Sequence, residues 1–235
     1  MNYNFIYPRF ITYPYLKSNL KNINFPIHLL CKFKISYENL PIDPYISDKT
    51  TRRRRYANYN VKVVDQYWSK ELSIIHTNKC SFKQNVNDDR KEERIFDLLE
   101  NPYDPFVIQY ITYVTKLLTL VKPIKNINID VHQVRQITYP DIDSHNSKEG
   151  IHQDGADYVV PALVLNRFNI RGGISSVYDN KKKEIHRSIL YNNDFMLIDD
   201  KELYHYVTPI KYYESDGFEE YGYRDLLGLD IEIIE

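Results

Sequence analysis

The chain has 235 residues, 43% of them hydrophobic and 27% charged, with 31 basic against 32 acidic side chains. Those proportions exclude wholesale disorder, and the length is enough to bury a core without disulfides or a structural metal. The net charge of −1 argues against a general nucleic-acid binder, and Cys31 and Cys80 are too few for a disulfide framework.

The opening decapeptide MNYNFIYPRF has no charged stretch followed by an apolar run, so no secretory signal is expected. Residues 1–60 read as irregular, because Pro8, Pro14, Pro26, Pro41 and Pro44 interrupt any long helix. A first helix is predicted from Asp88 to Glu100, with Ile95, Leu98 and Leu99 on one face. A second opens at Asp104-Pro105, a capping residue followed by a first-turn proline, and stops at Pro123. Its apolar residues Val107, Tyr110, Ile111, Val114, Leu117, Leu118 and Val121 recur at helical spacing and read as core.

Beyond Pro123 the pattern changes to short strands: Ile127–Ile137, Tyr158–Leu165, Ile174–Tyr178, Ile185–Leu190, Phe195–Ile198 and Leu227–Ile234. In the last, Leu227, Leu229, Ile231 and Ile233 share one face, with Gly228, Asp230 and Glu232 on the other. Gly172-Gly173 reads as a tight turn, since no helix follows it. No run approaches about 18 apolar residues, because Lys116 breaks the longest and Asn166 ends the next. The expectation is a cytoplasmic, single-domain α+β protein, with a jelly-roll core behind N-terminal helices and no membrane or nucleic-acid partner.

The most informative passage is Gly150-Ile151-His152-Gln153-Asp154-Gly155. In an extended segment His152 and Asp154 project from one face, so an imidazole nitrogen and a carboxylate oxygen converge on one point. His205, near the strand Phe195–Ile198, can supply a third ligand. Two histidines and one carboxylate with the opposite side left open is the arrangement of non-haem Fe(II) oxygenases. Arg224, at the head of the last strand, can form a bidentate fork with a carboxylate.

From His132 to Ile231 the chain resembles the iron(II)/2-oxoglutarate dioxygenases that hydroxylate free L-amino acids, the isoleucine-dioxygenase-like group. The resemblance rests first on His132-Gln133-Val134-Arg135, Glu149 through Gly155, and Asn166-Arg167. It continues through Gly172 to Asp179, Leu197 to Asp200, His205 to Ile210, and Arg224-Asp225. Arg53 to Tyr56 and Ser81 to Gln84 are weaker echoes. It implies a double-stranded β-helix (cupin-like) carrying the metal site in residues 126–235, supported by an irregular and helical region over 1–125. It also implies that His152, Asp154 and His205 bind Fe(II), and that Arg224 pairs with the far carboxylate of 2-oxoglutarate. O₂ would be the oxidant, and succinate and CO₂ would be released as the substrate is hydroxylated. The chain departs from the pattern at Tyr206, where glycine is expected after the distal histidine; its ring either narrows the pocket or points outward.

Other residues carry two readings each. Arg135 binds a substrate carboxylate or forms a structural ion pair; Asp157 receives a substrate ammonium or caps its turn. Thr208 assists Arg224 or does not, and His132, on the opposite face from Arg135, is a core or supporting histidine. Arg52–Arg55 reads as structural rather than as a nucleic-acid patch. A carrier-bound or larger aminoacyl substrate, and a non-redox barrel binding a ligand or structural metal, are the rival functions.

Overall fold

The computed structural model describes residues 14–23, 25–48, 50–66, 69–83, 92–213 and 220–234. The described residues are mostly β, with two α-helices. The strands before the second helix are β1 (Tyr15–Asn19), β2 (Arg52–Gln66), β3 (Ser69–His76), β4 (Ser81–Phe82) and β5 (Arg94–Ile95). After it come β6 (Asn126–Thr138), β7 (Tyr158–Phe168), β8 (Ile170–Gly172), β9 (Ile174–Tyr178) and β10 (Glu184–Ile189). The last four are β11 (Asp194–Asp199), β12 (Tyr204–Val207), β13 (Ile210–Tyr212) and β14 (Gly222–Ile233). The helices are α1 (Ile27–Ile35) and α2 (Pro105–Val121). Seven strands form an antiparallel sheet in the order β1-β11-β7-β14-β6-β2-β3, and β10-β9-β12 form a second.

α2 forms where the sequence places it. The Asp104 carboxylate accepts from the Phe106 N–H at 2.8 Å, and Pro105 occupies the first turn where its missing N–H costs nothing. The predicted stripe is buried from Val107 to Leu118, while Val121 lies outside the core at the exposed C-terminus. That stripe packs, with Phe33 of α1, onto Ile127, Ile129, Leu227, Leu229 and Ile231 of the large sheet. Burying each such side chain contributes about 1.5–3 kcal/mol.

The opposite face of the sheet meets the small sheet, where Val134, Val164 and Leu226 pack with Val177. Toward one end this contact opens into a cavity. Alternation along β14 separates the two faces: Leu227, Leu229 and Ile231 face the helices, whereas Arg224, Leu226, Gly228 and Asp230 line the cavity.

The expected helix over Asp88–Glu100 is not formed where the chain is described; residues 88–91 of that stretch lie outside the described residues. Residues 92–100 run extended, with Ile95 61% exposed and Phe96 and Leu99 buried. Their backbone bonds go outward instead of along a helix: Phe96 N–H to Cys80 O, Leu99 N–H to Tyr56 O, and Tyr56 N–H to Asp97 O.

The irregular reading of residues 1–60 is also corrected. α1 occupies the proline-free stretch after Pro26, and β1 and β2 are strands of the large sheet. β2 pairs with β6 from Arg52↔Gln136 to Lys62↔Asn126. Two arginines of its run tie the scaffold together: Arg52 bonds Asp43 at 2.7 Å, and Arg55 donates to Leu98 O at 2.9 Å. These strands and the shortage of helix correct α+β to mostly β. Among the described residues no helix is long and apolar enough to cross a membrane.

Candidate metal and co-substrate site

His152 and His205 face each other across a short antiparallel bridge, with His152 N–H donating to His205 O at 3.1 Å and His205 N–H to His152 O at 2.9 Å. That pairing brings the rings to a centroid separation of 4.4 Å. Asp154 completes the group: its Oδ2 lies 3.2 Å from His205 Nε2, and its Oδ1 lies 3.6 Å from His152 Nε2. One ligand atom from each residue lies within 4.8 Å of the others, at the wall of the cavity between the sheets. Two imidazole nitrogens and a carboxylate oxygen suit a first-row divalent ion such as Fe(II).

The surroundings fix these side chains. His152 Nδ1 is 2.8 Å from Gly150 O, so that nitrogen carries the proton and Nε2 is left to ligate. Gly150 at φ +82° makes the turn possible, a conformation that a side chain would strain. The Asp200 carboxylate accepts from Gly155 N–H at 2.7 Å and Ala156 N–H at 3.2 Å, and Gln153 Nε2 donates to Asp200 O at 2.5 Å. The other oxygen of Asp200 is 3.7 Å from His205 Nδ1. Asp200 therefore holds the loop after Asp154 and faces the second histidine at once. Burial raises its pKa to about 6. Burial opposes protonation of His205, but the Asp154 carboxylate outweighs it and raises the His205 pKa. Burial also opposes ionisation of Asp154, and the two histidines overcome it, keeping that carboxyl well below its usual range.

Arg224 lies in the same cavity, only 1% exposed, and its Nε and Nη1 have no hydrogen-bond partner. Arg167 lies close by, donating from Nη2 to Gly172 O at 2.7 Å and leaving its Nη1 unbonded. Burial, then the Arg167 charge, lowers the Arg224 pKa to about 9. Both free nitrogens border Gly173 at φ +63°, where an added Cβ would lie 2.9 Å from Arg224 Nη1 and 3.1 Å from Arg167 Nη1. A buried guanidinium with unfilled donors, beside the half-buried Arg167, fits a bidentate carboxylate such as the far end of 2-oxoglutarate.

Three of the expected residues stand elsewhere. Arg135 is on the helix-facing side of β6, donating to Asp225 from Nε at 2.7 Å and Nη2 at 3.0 Å, and to Glu38 at 2.9 and 3.1 Å. The substrate-carboxylate reading is therefore corrected to the structural ion pair. Asp157 binds Lys201 and accepts from Ile233 N–H at 2.6 Å, so it anchors the end of β14 and does not line the cavity. Thr208 Oγ1 accepts from Ile174 N–H at 2.9 Å and closes the β9–β12 ladder, away from the cavity lining. Tyr206 does line the cavity, which decides between its two readings.

Arg135→Ala is expected to cost about 3–5 kcal/mol of stability, because it leaves the fully buried Asp225 carboxylate without its cation. Chemical denaturation checks this, and Arg135→Met with Asp225→Leu should recover most of the loss. Metal affinity should stay within a factor of about two, the reproducibility of such effects.

Sequence reading passed over Asp200, whose contribution runs through backbone N–H groups and leaves no local spacing. It reads Arg54, within Arg52–Arg55, only as structural, whereas that side chain lines the cavity from β2.

The fold is shared with several solved structures. IDO from Bacillus thuringiensis superposes with a TM-score of 0.75 at 19% identity, over 97% of this chain and 93% of that one. A bsmA homologue from Methylobium petroleophilum PM1 gives 0.81 at 19%, covering 97% and 92%. The Fe(II)/α-ketoglutarate-dependent dioxygenase TqaL gives 0.69 at 14%, covering 96% and 85%. The sheet arrangement thus matches double-stranded β-helix oxygenases. The chain matches no curated protein sequence. The model of the family described as 2OG-Fe dioxygenase matches residues 34–230, so the chain belongs to the 2OG-Fe dioxygenase family, whose cofactor and co-substrate are Fe(II) and 2-oxoglutarate.

Proposed function

We propose that this chain is an oxygenase that hydroxylates a C–H bond of a small free L-amino acid, with release of succinate and CO₂ from 2-oxoglutarate. The observation that carries the reading is the convergence of His152, Asp154 and His205 in one cavity with the unpartnered guanidinium of Arg224. The resemblance of residues 132–231 to amino acid hydroxylases, and the fold shared with IDO, support the substrate class.

In this reading His152, Asp154 and His205 hold Fe(II), and Arg224 holds the far carboxylate of 2-oxoglutarate. The iron, with 2-oxoglutarate and O₂, supplies the oxidising power that no amino acid side chain has. The chain's residues position and shield. Asp200 and Gly150 O keep the ligand rings and loop in place, and the apolar wall of Met196, Ile198 and Leu226 limits water around the reacting carbon.

Ligation needs neutral imidazoles, and the Asp154 carboxylate favours the charged form of His205 in the metal-free chain. As pH falls through the raised His205 pKa, protons compete with the metal. The apparent Fe(II) dissociation constant should therefore rise about tenfold per pH unit for each proton displaced. Anaerobic calorimetry in buffers of different ionisation enthalpy counts that proton; affinity flat from neutral to acidic pH would remove His205 from the ligand set.

The substrate class is tested by counting succinate from the iron-loaded protein with 2-oxoglutarate, O₂ and a panel of free L-amino acids. Strong stimulation by at least one is expected. Stimulation only by peptides or aminoacyl carriers would refute the free-amino-acid reading.

A further inference from the structure

The cavity is also lined by the half-buried Arg54, whose guanidinium the reading above leaves unused. Arg54 stands opposite Val134 in the β2–β6 register and turns to the cavity face of the sheet. Its Nη2 is 2.5 Å from His132 Nδ1, its guanidinium lies 4.3 Å from the centre of the Phe96 ring, and its Nε has no partner. His132 in turn reaches Asp230 Oδ2 from Nε2 at 3.1 Å, so it accepts from Arg54 as a neutral imidazole. Burial, foremost, holds His132 in that neutral form. Among the described residues no carboxylate lies within ion-pair distance of Arg54; the neighbouring Asp43 is bound by Arg52. An imidazole and an aromatic face give the guanidinium no direct carboxylate partner; Asp43 and Asp230 favour its charge only from beyond contact, and arginine does not escape by losing its proton.

The placement also separates two carboxylate sites. A second cavity, bounded by the exposed Tyr45, shares Arg52, Arg94 and Glu149 with the first. Arg52, two residues from Arg54 on β2, borders both cavities, whereas Arg224 lines the first alone and is buried.

We infer that Arg54 anchors the carboxylate of the substrate to be oxidised, leaving Arg224 for 2-oxoglutarate. The inference rests on the substrate class proposed above. It makes the free carboxylate of the substrate a specificity requirement.

The test is an anaerobic titration of the iron-loaded, 2-oxoglutarate-bound protein, following its visible absorption band. The probes are a panel of free L-amino acids, their N-acetyl derivatives and their primary amides, against wild type, Arg54→Gln and Arg54→Lys. A free amino acid should perturb the band in wild type, with its amide about thirtyfold weaker. Arg54→Gln should weaken the acid by about thirtyfold, as expected for one lost charge-assisted contact, and Arg54→Lys by less. The 2-oxoglutarate constant should move by less than about threefold, since distant sites couple weakly.

Acid and amide binding equally in wild type, or the acid binding equally to Arg54→Gln, would overturn the anchor while leaving the amino acid reading standing. Perturbation by N-acetyl derivatives alone, lost in Arg54→Gln, would keep the anchor and refute the free-amino-acid reading. If no carboxylate perturbs the band, the anchor is overturned. Should Arg54→Gln fail to fold, Arg54→Lys and the acid–amide comparison in wild type decide.

Discussion

His205→Ala is expected to lower 2-oxoglutarate turnover at least a hundredfold, to the level of metal-free protein, while the chain stays folded. A lost ligand should cost no less than the ten- to hundredfold typical of a lost supporting contact. His205 is buried, and its backbone bridge to His152 survives the substitution, so the bonds that build the site remain. His152→Ala should behave in the same way. Bound iron, measured by elemental analysis after gel filtration, should fall together with succinate production. Full iron content with normal succinate in either variant would remove that residue from the metal site.

Arg224→Ala should raise the 2-oxoglutarate dissociation constant by about a hundredfold or more. A desolvated bidentate guanidinium–carboxylate contact is worth about 2–5 kcal/mol, and about 3 kcal/mol corresponds to two orders of magnitude. Iron content should persist, because the triad stands on β12 and the loop before β7, away from Arg224 on β14. Gly173→Ala provides an independent check. Its Cβ would crowd Arg224 Nη1 and Arg167 Nη1 and strain a positive φ, so it should weaken 2-oxoglutarate without touching either guanidinium chemically. Direct anaerobic binding measurements on both variants separate this effect from a loss of turnover. An unchanged constant in Arg224→Ala would assign the clamp elsewhere.

The site was legible where its chemistry is compressed into short spacing. His152 and Asp154 lie two residues apart, and an extended backbone must place them on one face; His205 needed only a strand to return it to them. α2 was legible because Asp104, Pro105 and Pro123 mark both ends and the stripe between them is apolar. β2 was hidden because four consecutive arginines mask its alternation. Arg52, Arg53 and Arg55 find partners in Asp43, Leu40 O and Leu98 O, and Arg54 reaches the neutral His132, contacts that only the folded sheet brings near.

Arg135 and Arg54 show the same limit from two sides. Both are arginines on strands beside the site, and composition cannot rank them. The register Arg135↔Asp225 neutralises the first on the helix face, while the one-residue alternation of β2 turns the second into the cavity. The stretch after Asp88 misled because Ile95, Leu98 and Leu99 fit a helical face as readily as an extended one. The backbone partners offered by Tyr56 and Cys80 decided against the helix.

Anaerobic titration of the purified chain with Fe(II) and 2-oxoglutarate, watched for the weak visible metal-to-ligand charge-transfer band, tests the central assignment most directly. A saturable band in wild type, lost in His205→Ala and requiring far more 2-oxoglutarate in Arg224→Ala, is the predicted result. A folded, iron-loaded wild-type protein that shows no band at saturating 2-oxoglutarate would contradict it.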